Sequence, residues 1–460
     1  MKTNTIKQLI SKKDYYNNKT VTLSGWIRSI RKSKNICFID FYDGSYFSTI
    51  QVVILNLDDS QLKQLIIGAC LFIEGIFMLT LNGKQPYEIT ANRIKLLGAS
   101  NSDYPIQKKK LSFEYLRSIA HLRPRTNTFS AVFKVRSIIT EGIQLFLKEN
   151  DFVYITSPCI TSSDCEGSGE TFAISTLDYD YLQSKNGSID YSQDFFSKKT
   201  SLSVSGQLHL EPFCMIYRNV YTLGPSFRAE KSNTTRHAAE FWQVEPEMAF
   251  YDLNDTIELI EALVKYVINY VLKNAKEEML FFDKYISPGK IKQLQSTIDF
   301  PFEIITYTKA IDILKEHQSK FEHKIYWGIG IQTEFEKFLA DQIFKKPVFI
   351  TDYPKDKKAF YMKLNDDNKT VAATDLIFPE IGEVVGASQR EESYEKLKNR
   401  LIEKELDINE YEWYLDLRKY GSCIHSGFGL GIERFTRFIT GIENIRDVIP
   451  FPRTPNSIKY

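Results

Sequence analysis

Between Thr20 and Leu97 apolar and polar residues alternate in short runs, VTLSGWI, NICFIDFYD and STIQVVIL, followed by CLFIEGIFMLTL and YEITANRIKLL. A period of two marks strands with one buried face. DSQLKQLIIGA breaks the alternation and reads as one short helix, and Asn82-Gly83 marks a hairpin turn. From Thr128 to Lys148 the period changes. Val132, Val135, Ile139, Ile143 and Phe146 fall on one stripe of a long helix, and FVYITSP, ending at Pro158, reads as the strand after it. LSVSGQLHLE reads as a strand entering a helix. A second long helix is predicted to open at Asp255, with Ile260, Leu263, Val264, Val267 and Val271 inward. PVFITDYP and AFYMKLN read as further strands.

The densest polar and aromatic stretch lies between the two long helices. TLGPSFRAE leads into the turn KSNTT and EFWQVEPEM leads out, which predicts a hairpin. Alternation puts Arg228 and Glu230 on one face of the first strand, and Phe241, Gln243 and Glu245 on one face of the second. An arginine fork suits a phosphate, a carboxylate accepts from an exocyclic amine, and a ring stacks on a base. That face suits a nucleotide; the alternative is an amphipathic hairpin with surface ion pairs. Further on, Gly427, Gly429 and Gly431 alternate before a helix that begins at Ile432 and carries Arg434. Glycines in that pattern clear one face of a strand for a flat ligand. No third glycine completes G-x-G-x-x-G, so the dinucleotide fingerprint is excluded. Glu383 and Arg390 flank Gly386, with Asp375 upstream. Carboxylates beside a triphosphate suit Mg2+, which takes one or two of them; two surface acids are the alternative.

Composition changes this picture little. The chain has 460 residues, 43% hydrophobic and 25% charged, enough for more than one domain. Its 59 basic and 58 acidic residues give a net charge of +1, so any nucleic-acid surface is local. The first 40 residues are such a place, with nine Lys and Arg opposed by Asp14 and Asp40 alone. Five strands, one helix and this charge suit an OB-type barrel that binds single-stranded RNA. None of the six cysteines forms a C-x-x-C pair, so no zinc or redox motif is signalled and a reduced, cytoplasmic setting is expected. No run is long and apolar enough for a membrane.

FRAE followed by RH and EF resembles motif two of the class II aminoacyl-tRNA synthetases. Ser232-Asn233-Thr234, Arg236-His237 and Glu240-Phe241-Trp242 resemble, more narrowly, the asparaginyl branch of the aspartyl/asparaginyl/lysyl subgroup. The likeness runs along essentially the whole chain. The helix and strand up to Pro158 resemble motif one, and HSGFGLGIERF resembles motif three. The resemblance implies an α+β protein: an OB-fold anticodon-binding barrel over residues 1–98, a linker over 99–125, and a catalytic domain over 126–460. The catalytic domain is expected to be a mainly antiparallel sheet flanked by helices, with an insertion around 251–346. It implies ATP-dependent ligation of asparagine to tRNA(Asn) through an adenylate, with Mg2+, in a homodimer formed through motif one. Arg228, Glu383 and Arg434 would be catalytic. Glu230, Arg236, His237, Phe241 and Gly431 would join them around ATP, and Asp375 would join Glu383 at the metal. Glu166, in the polar loop from Ser162 to Phe172, would meet the amino acid together with Gln207, Glu211 and Arg390. Arg28, Phe38 and Gln51 would meet the anticodon, although the residue pattern leaves Phe38 open as barrel core.

The same resemblance bears on asparagine against aspartate. The aspartyl branch carries a lysine three residues after the glutamine that matches Gln207. Here that position is Leu210, and Glu211 follows. A carboxylate accepts from a carboxamide and repels a carboxylate, and Arg390 can donate to the amide oxygen. Asparagine is therefore expected, with an aspartyl enzyme, a stand-alone asparagine synthetase and a non-catalytic RNA-binding paralogue as the alternatives.

Overall fold

The computed structural model describes residues 3–33, 36–56, 59–80, 85–109, 111–163, 165, 170–178, 189–232 and 234–460. The predicted Asn82-Gly83 turn and Glu166 lie outside them. Contacts divide the chain into two units, Met1–Ala131 and Val132–Tyr460.

In the first unit β1 (Lys19–Lys32), β2 (Ile36–Tyr42), β3 (Ile50–Leu55), β4 (Cys70–Leu79) and β5 (Tyr87–Gly98) close a barrel in the order β1-β2-β3-β5-β4. The pairing is antiparallel except between β3 and β5. Alternate residues fill its interior, among them Leu23, Ile39, Phe41, Val52, Ile73 and Ile89. Ile6 and Leu9, on the helix Ile6–Ser11, join that core.

The second unit is built on an eight-stranded sheet. It uses β6 (Val153–Tyr154), β10 (Asn219–Phe227), β11 (Glu240–Ala249), β12 (Glu303–Thr306), β13 (Val348–Pro354), β14 (Thr370–Phe378), β15 (Gly382–Gln389) and β16 (His425–Gly431). Their order is β12-β13-β14-β15-β16-β11-β10-β6. The outer pairs, β12 with β13 and β6 with β10, are parallel, and the strands between are antiparallel. A small sheet of β7 (Ile160–Thr161), β9 (Thr200–Leu202) and β8 (Ala173–Ile174) stands apart from it. The α+β architecture of barrel plus helix-flanked sheet is the one the sequence predicts.

Several local expectations shift. The helix Leu253–Asn274 starts at Leu253, not Asp255: Asp252 accepts from Asp255 N–H and Asp255 accepts in return, a reciprocal cap that makes Asp255 the third helical residue. Of FVYITSP, only Val153 and Tyr154 pair, at the edge of the large sheet. AFYMKLN forms no strand; Phe360 is buried in a cluster with Tyr411 and Tyr414 instead. The long helix Asn127–Glu149 matches its stripe, with Val132, Val135, Ile139 and Ile143 fully buried.

Candidate active site

β10 and β11 form the predicted hairpin, with Ser226 opposite Phe241. β10 ends at Phe227, so Arg228 and Glu230 stand just beyond the strand rather than on it; Arg228 N–H still donates to Ala239 O at 2.9 Å. β16 lies between β11 and β15, and a cleft opens over these strands. One chamber, about 120 Å³, is bordered by Arg228, Glu230, Arg236, His237, Phe241, Glu383, Gly431 and Arg434. These are all eight residues expected around ATP. A larger chamber of about 480 Å³ is bordered by Gln207, Glu247, Lys358, Asp375 and Arg390. Arg228, Gln243, Glu383 and Gly429 border both, so the chambers are one cleft.

The smaller chamber sets Arg228, Arg236, His237 and Arg434 against Glu230, Glu383 and Glu433. Arg434, the third residue of the helix Ile432–Thr440, donates from Nη1 to Glu383 O at 2.8 Å and stands 3.4 Å from its Oε2. Burial pulls the Glu383 carboxyl up, but Arg434, Lys358, Arg228 and Arg236 outweigh it and hold it below the usual range. The Arg228 guanidinium lies 5.5 Å over the Phe241 ring. His237 contacts Thr234 Oγ1 at 2.6 Å and Ser232 Oγ at 3.1 Å. Burial, and then the Arg434 charge, push it below its ordinary value. Arg236 is paired with Glu336, at 2.8 Å.

The larger chamber holds an ion pair that the sequence reading missed. Arg390 donates from Nε to Glu247 Oε2 at 3.1 Å and from Nη2 to Oε1, while its Nη1 donates to Ser388 Oγ at 2.6 Å. Burial pushes the Glu247 carboxyl up, to about 7, against the pull of Arg390. Glu247 continues the alternation of Phe241, Gln243 and Glu245, so extending the period of two by one step would have found it. Lys358 was also missed; its Nζ sits 2.8 and 2.6 Å from the two oxygens of Asp375.

Glu211 does not border the cleft. It is the fifth residue of the helix Gln207–Tyr217 and is fully buried. Four groups meet its oxygens: Gln207 Nε2 donates at 3.2 Å, Tyr414 OH at 2.6 Å and Arg418 Nη2 at 2.8 Å, and His425 Nε2 stands at 3.0 Å. Leu210 packs inward against Cys214, Val220 and Ala249. Neither Leu210 nor Glu211 borders the cleft.

Residues 112–455 match the family described as tRNA synthetases class II (D, K and N), and residues 21–97 match an OB-fold nucleic acid binding domain. An asparagine--tRNA ligase of Clostridium acetobutylicum is 54% identical over 458 residues, 99% of each chain. That of Clostridium tetani is 52% identical over 463 residues, all of each chain. The chain belongs to the asparagine--tRNA ligases. Among solved structures, this ligase is similar to asparaginyl-tRNA synthetase from Pyrococcus horikoshii complexed with asparaginyl-adenylate. The TM-score is 0.87 at 32% identity, covering 100% of this chain and 99% of that one. The Entamoeba histolytica enzyme, also with asparaginyl-adenylate, gives 0.83 at 27%, covering 96% and 97%.

In the barrel of this ligase, Cys37, Ile39 and Phe41 point inward and Phe38 lies half-buried on the outer face, so it is not core. Arg31 covers the Phe38 ring at 5.5 Å and donates to Gln51 Oε1 at 3.3 Å; Gln51 Nε2 donates to Glu88 Oε2 at 3.0 Å. Phe38 and Gln51 thus share one surface with Arg31 and Glu88, which the sequence reading did not single out. Arg28 stands apart from them. Its guanidinium lies 4.1 Å over Tyr42 and donates to Arg125 O and to Asn127 Oδ1.

Proposed function

We propose that the protein activates asparagine with ATP and transfers it to tRNA(Asn). The observation that carries this reading is the single cleft with two chemically distinct ends. One end gathers Arg228, Arg236 and Arg434 about a sheet floor; the other presents Gln207 and the Glu247–Arg390 pair. The asparagine carboxylate attacks the α-phosphorus, the bond to the bridging oxygen breaks, and pyrophosphate leaves. A hydroxyl of the tRNA's terminal adenosine then attacks the carbonyl of the mixed anhydride, its proton is lost, and AMP leaves. No protein nucleophile is needed. Arg228 neutralises charge at the α-phosphate, Arg434 and Arg236 hold the outer phosphates, Glu230 accepts from the adenine amine, and Phe241 stacks on its ring. Positioning and preorganised charge supply the acceleration.

Mg2+ fits the residues present. A Cβ at Gly386 would stand 3.5 Å from Glu383 Oε1 and 3.7 Å from Asp375 Oδ1, so two carboxylates flank one small residue. Mg2+ takes one or two carboxylates together with phosphate oxygens. Glu383, beside Arg434, offers the more exposed carboxylate, and Asp375 is engaged by Lys358. When bound, the ion would neutralise phosphate charge.

Glu247 and Arg390, rather than Glu211, are the groups we assign to the carboxamide: the arginine donates to its oxygen, and the glutamate accepts from its nitrogen and repels aspartate. Gln207 serves the amino end of the substrate, and Phe38 and Gln51 serve the anticodon. A second copy joins through the helix Asn127–Glu149 and the edge strand β6, whose Val153 and Tyr154 are exposed. Sedimentation giving only the 53.4 kDa chain at micromolar concentration would remove that assembly. Free thiols at all six cysteines suit the cytoplasm, and among the described residues no helix is long and apolar enough to cross a membrane. Asparagine-dependent exchange of pyrophosphate into ATP tests the whole reading; exchange driven by aspartate instead would replace it with the aspartyl one.

A further inference from the structure

The segment between the helix Leu253–Asn274 and β13 carries little sequence signal, yet it sends one carboxylate to Arg236, which borders the smaller chamber. Glu336 lies on the short helix Thr333–Lys337 and is 8% exposed. Its Oε2 accepts from Arg236 Nη2 at 2.8 Å and from Glu383 N–H at 3.3 Å. Thr333, one turn earlier, accepts from Arg236 Nη1. Gly382 makes the arrangement possible: a Cβ there would stand 2.3 Å from Glu336 Oε2 and 2.4 Å from Arg236 Nη2, and its φ of +87° suits glycine alone. One carboxylate therefore fixes both the side chain of Arg236 and the backbone that carries Glu383.

We infer that Glu336 is a positioning residue for ATP: with Thr333 it stations Arg236 beside Glu383 before the nucleotide arrives. The inference rests on the proposed reading of the cleft. An arginine on a polar loop otherwise samples many rotamers, and ordering it would fall to the incoming phosphates. Held at two donors and backed by Gly382, it meets them already in place. Glu336 does not border either chamber, so it acts through Arg236 and not on ATP.

Glu336→Gln keeps the size of the side chain and removes its charge. Losing the order of one such side chain corresponds to a rise of about 3- to 10-fold in KM for ATP. KM for asparagine stays near wild type, Glu336→Asp recovers part of the loss, and Glu336→Gln/Arg236→Ala is no worse than Arg236→Ala alone. The readout is pyrophosphate exchange across ATP and asparagine concentrations, with calorimetric ATP binding beside it. Unchanged or tighter ATP binding in Glu336→Gln, equal rises in both KM values, or additive losses in the double variant would each overturn the inference. Absence of asparagine-dependent exchange in the wild type would instead overturn the reading beneath it.

Discussion

Arg390 grips Glu247 through two guanidinium nitrogens, and the pair is almost sealed from water, with side-chain exposures of 4% and 1%. Gly427 makes the room: a Cβ there would stand 2.1 Å from Glu247 Oε1 and 2.5 Å from Arg390 Nη2. The first of the three alternating glycines thus accommodates an ion pair, whereas Gly429 and Gly431 line the cleft as expected. Removing one partner of a buried pair leaves an uncompensated charge, at a cost of about 3–5 kcal/mol.

The first prediction concerns selectivity. A site that reads polar groups can reject the wrong substrate by about 10⁴. Glu247→Gln should lose much of that rejection, because the amide no longer repels aspartate. Arg390→Ala should lose both substrates. Glu211→Gln, away from the cleft, should lower the thermal midpoint by stranding Arg418 while changing selectivity less than Glu247→Gln. The measurement is kcat/KM for asparagine and aspartate in exchange; a larger selectivity loss in Glu211→Gln than in Glu247→Gln would return the role to Glu211.

A second prediction follows from the raised carboxyl of Glu247, pushed to about 7 by burial against the pull of Arg390. Above that value the group is charged and repels aspartate; below it the group is neutral and does not. The preference for asparagine should narrow as pH falls from 8 to 6, and Glu247→Gln should flatten the profile. A wild-type ratio independent of pH over that range would remove Glu247 from the discrimination.

A third concerns phosphate. Arg228→Ala and Arg434→Ala should each lower pyrophosphate exchange by about 100- to 1,000-fold, the usual effect of deleting one charge-stabilising donor. Circular dichroism should remain unchanged in both. Near-normal exchange in either purified variant would exclude that arginine from catalysis.

The fourth separates the barrel from the cleft. Phe38→Ala and Gln51→Ala should weaken tRNA charging while sparing exchange without tRNA. Stacking on one base is worth about 1–3 kcal/mol. Equal losses in both assays would point to damaged folding instead.

The sequence by itself determined what depends on neighbours along the chain. Alternation at Leu23, Ile39, Val52 and Ile73 predicts the barrel because each strand's inner face repeats every second residue. The hairpin leading to Arg228 and Phe241, and the glycine strand before Arg434, were legible for the same local reason, and the eight residues that the resemblance implies for ATP all border the smaller chamber. Only the tertiary structure decided which charges meet across the sheet. Arg390 and Glu247 are separated by 143 positions, and Arg236 and Glu336 by 100; no period in the chain links them. Helix phase decided the rest: Gln207 faces the cleft, but one turn later Glu211 turns to Tyr414, Arg418 and His425. A buried carboxylate takes the donors that surround it, and those donors are brought by strands and helices the local sequence does not contain.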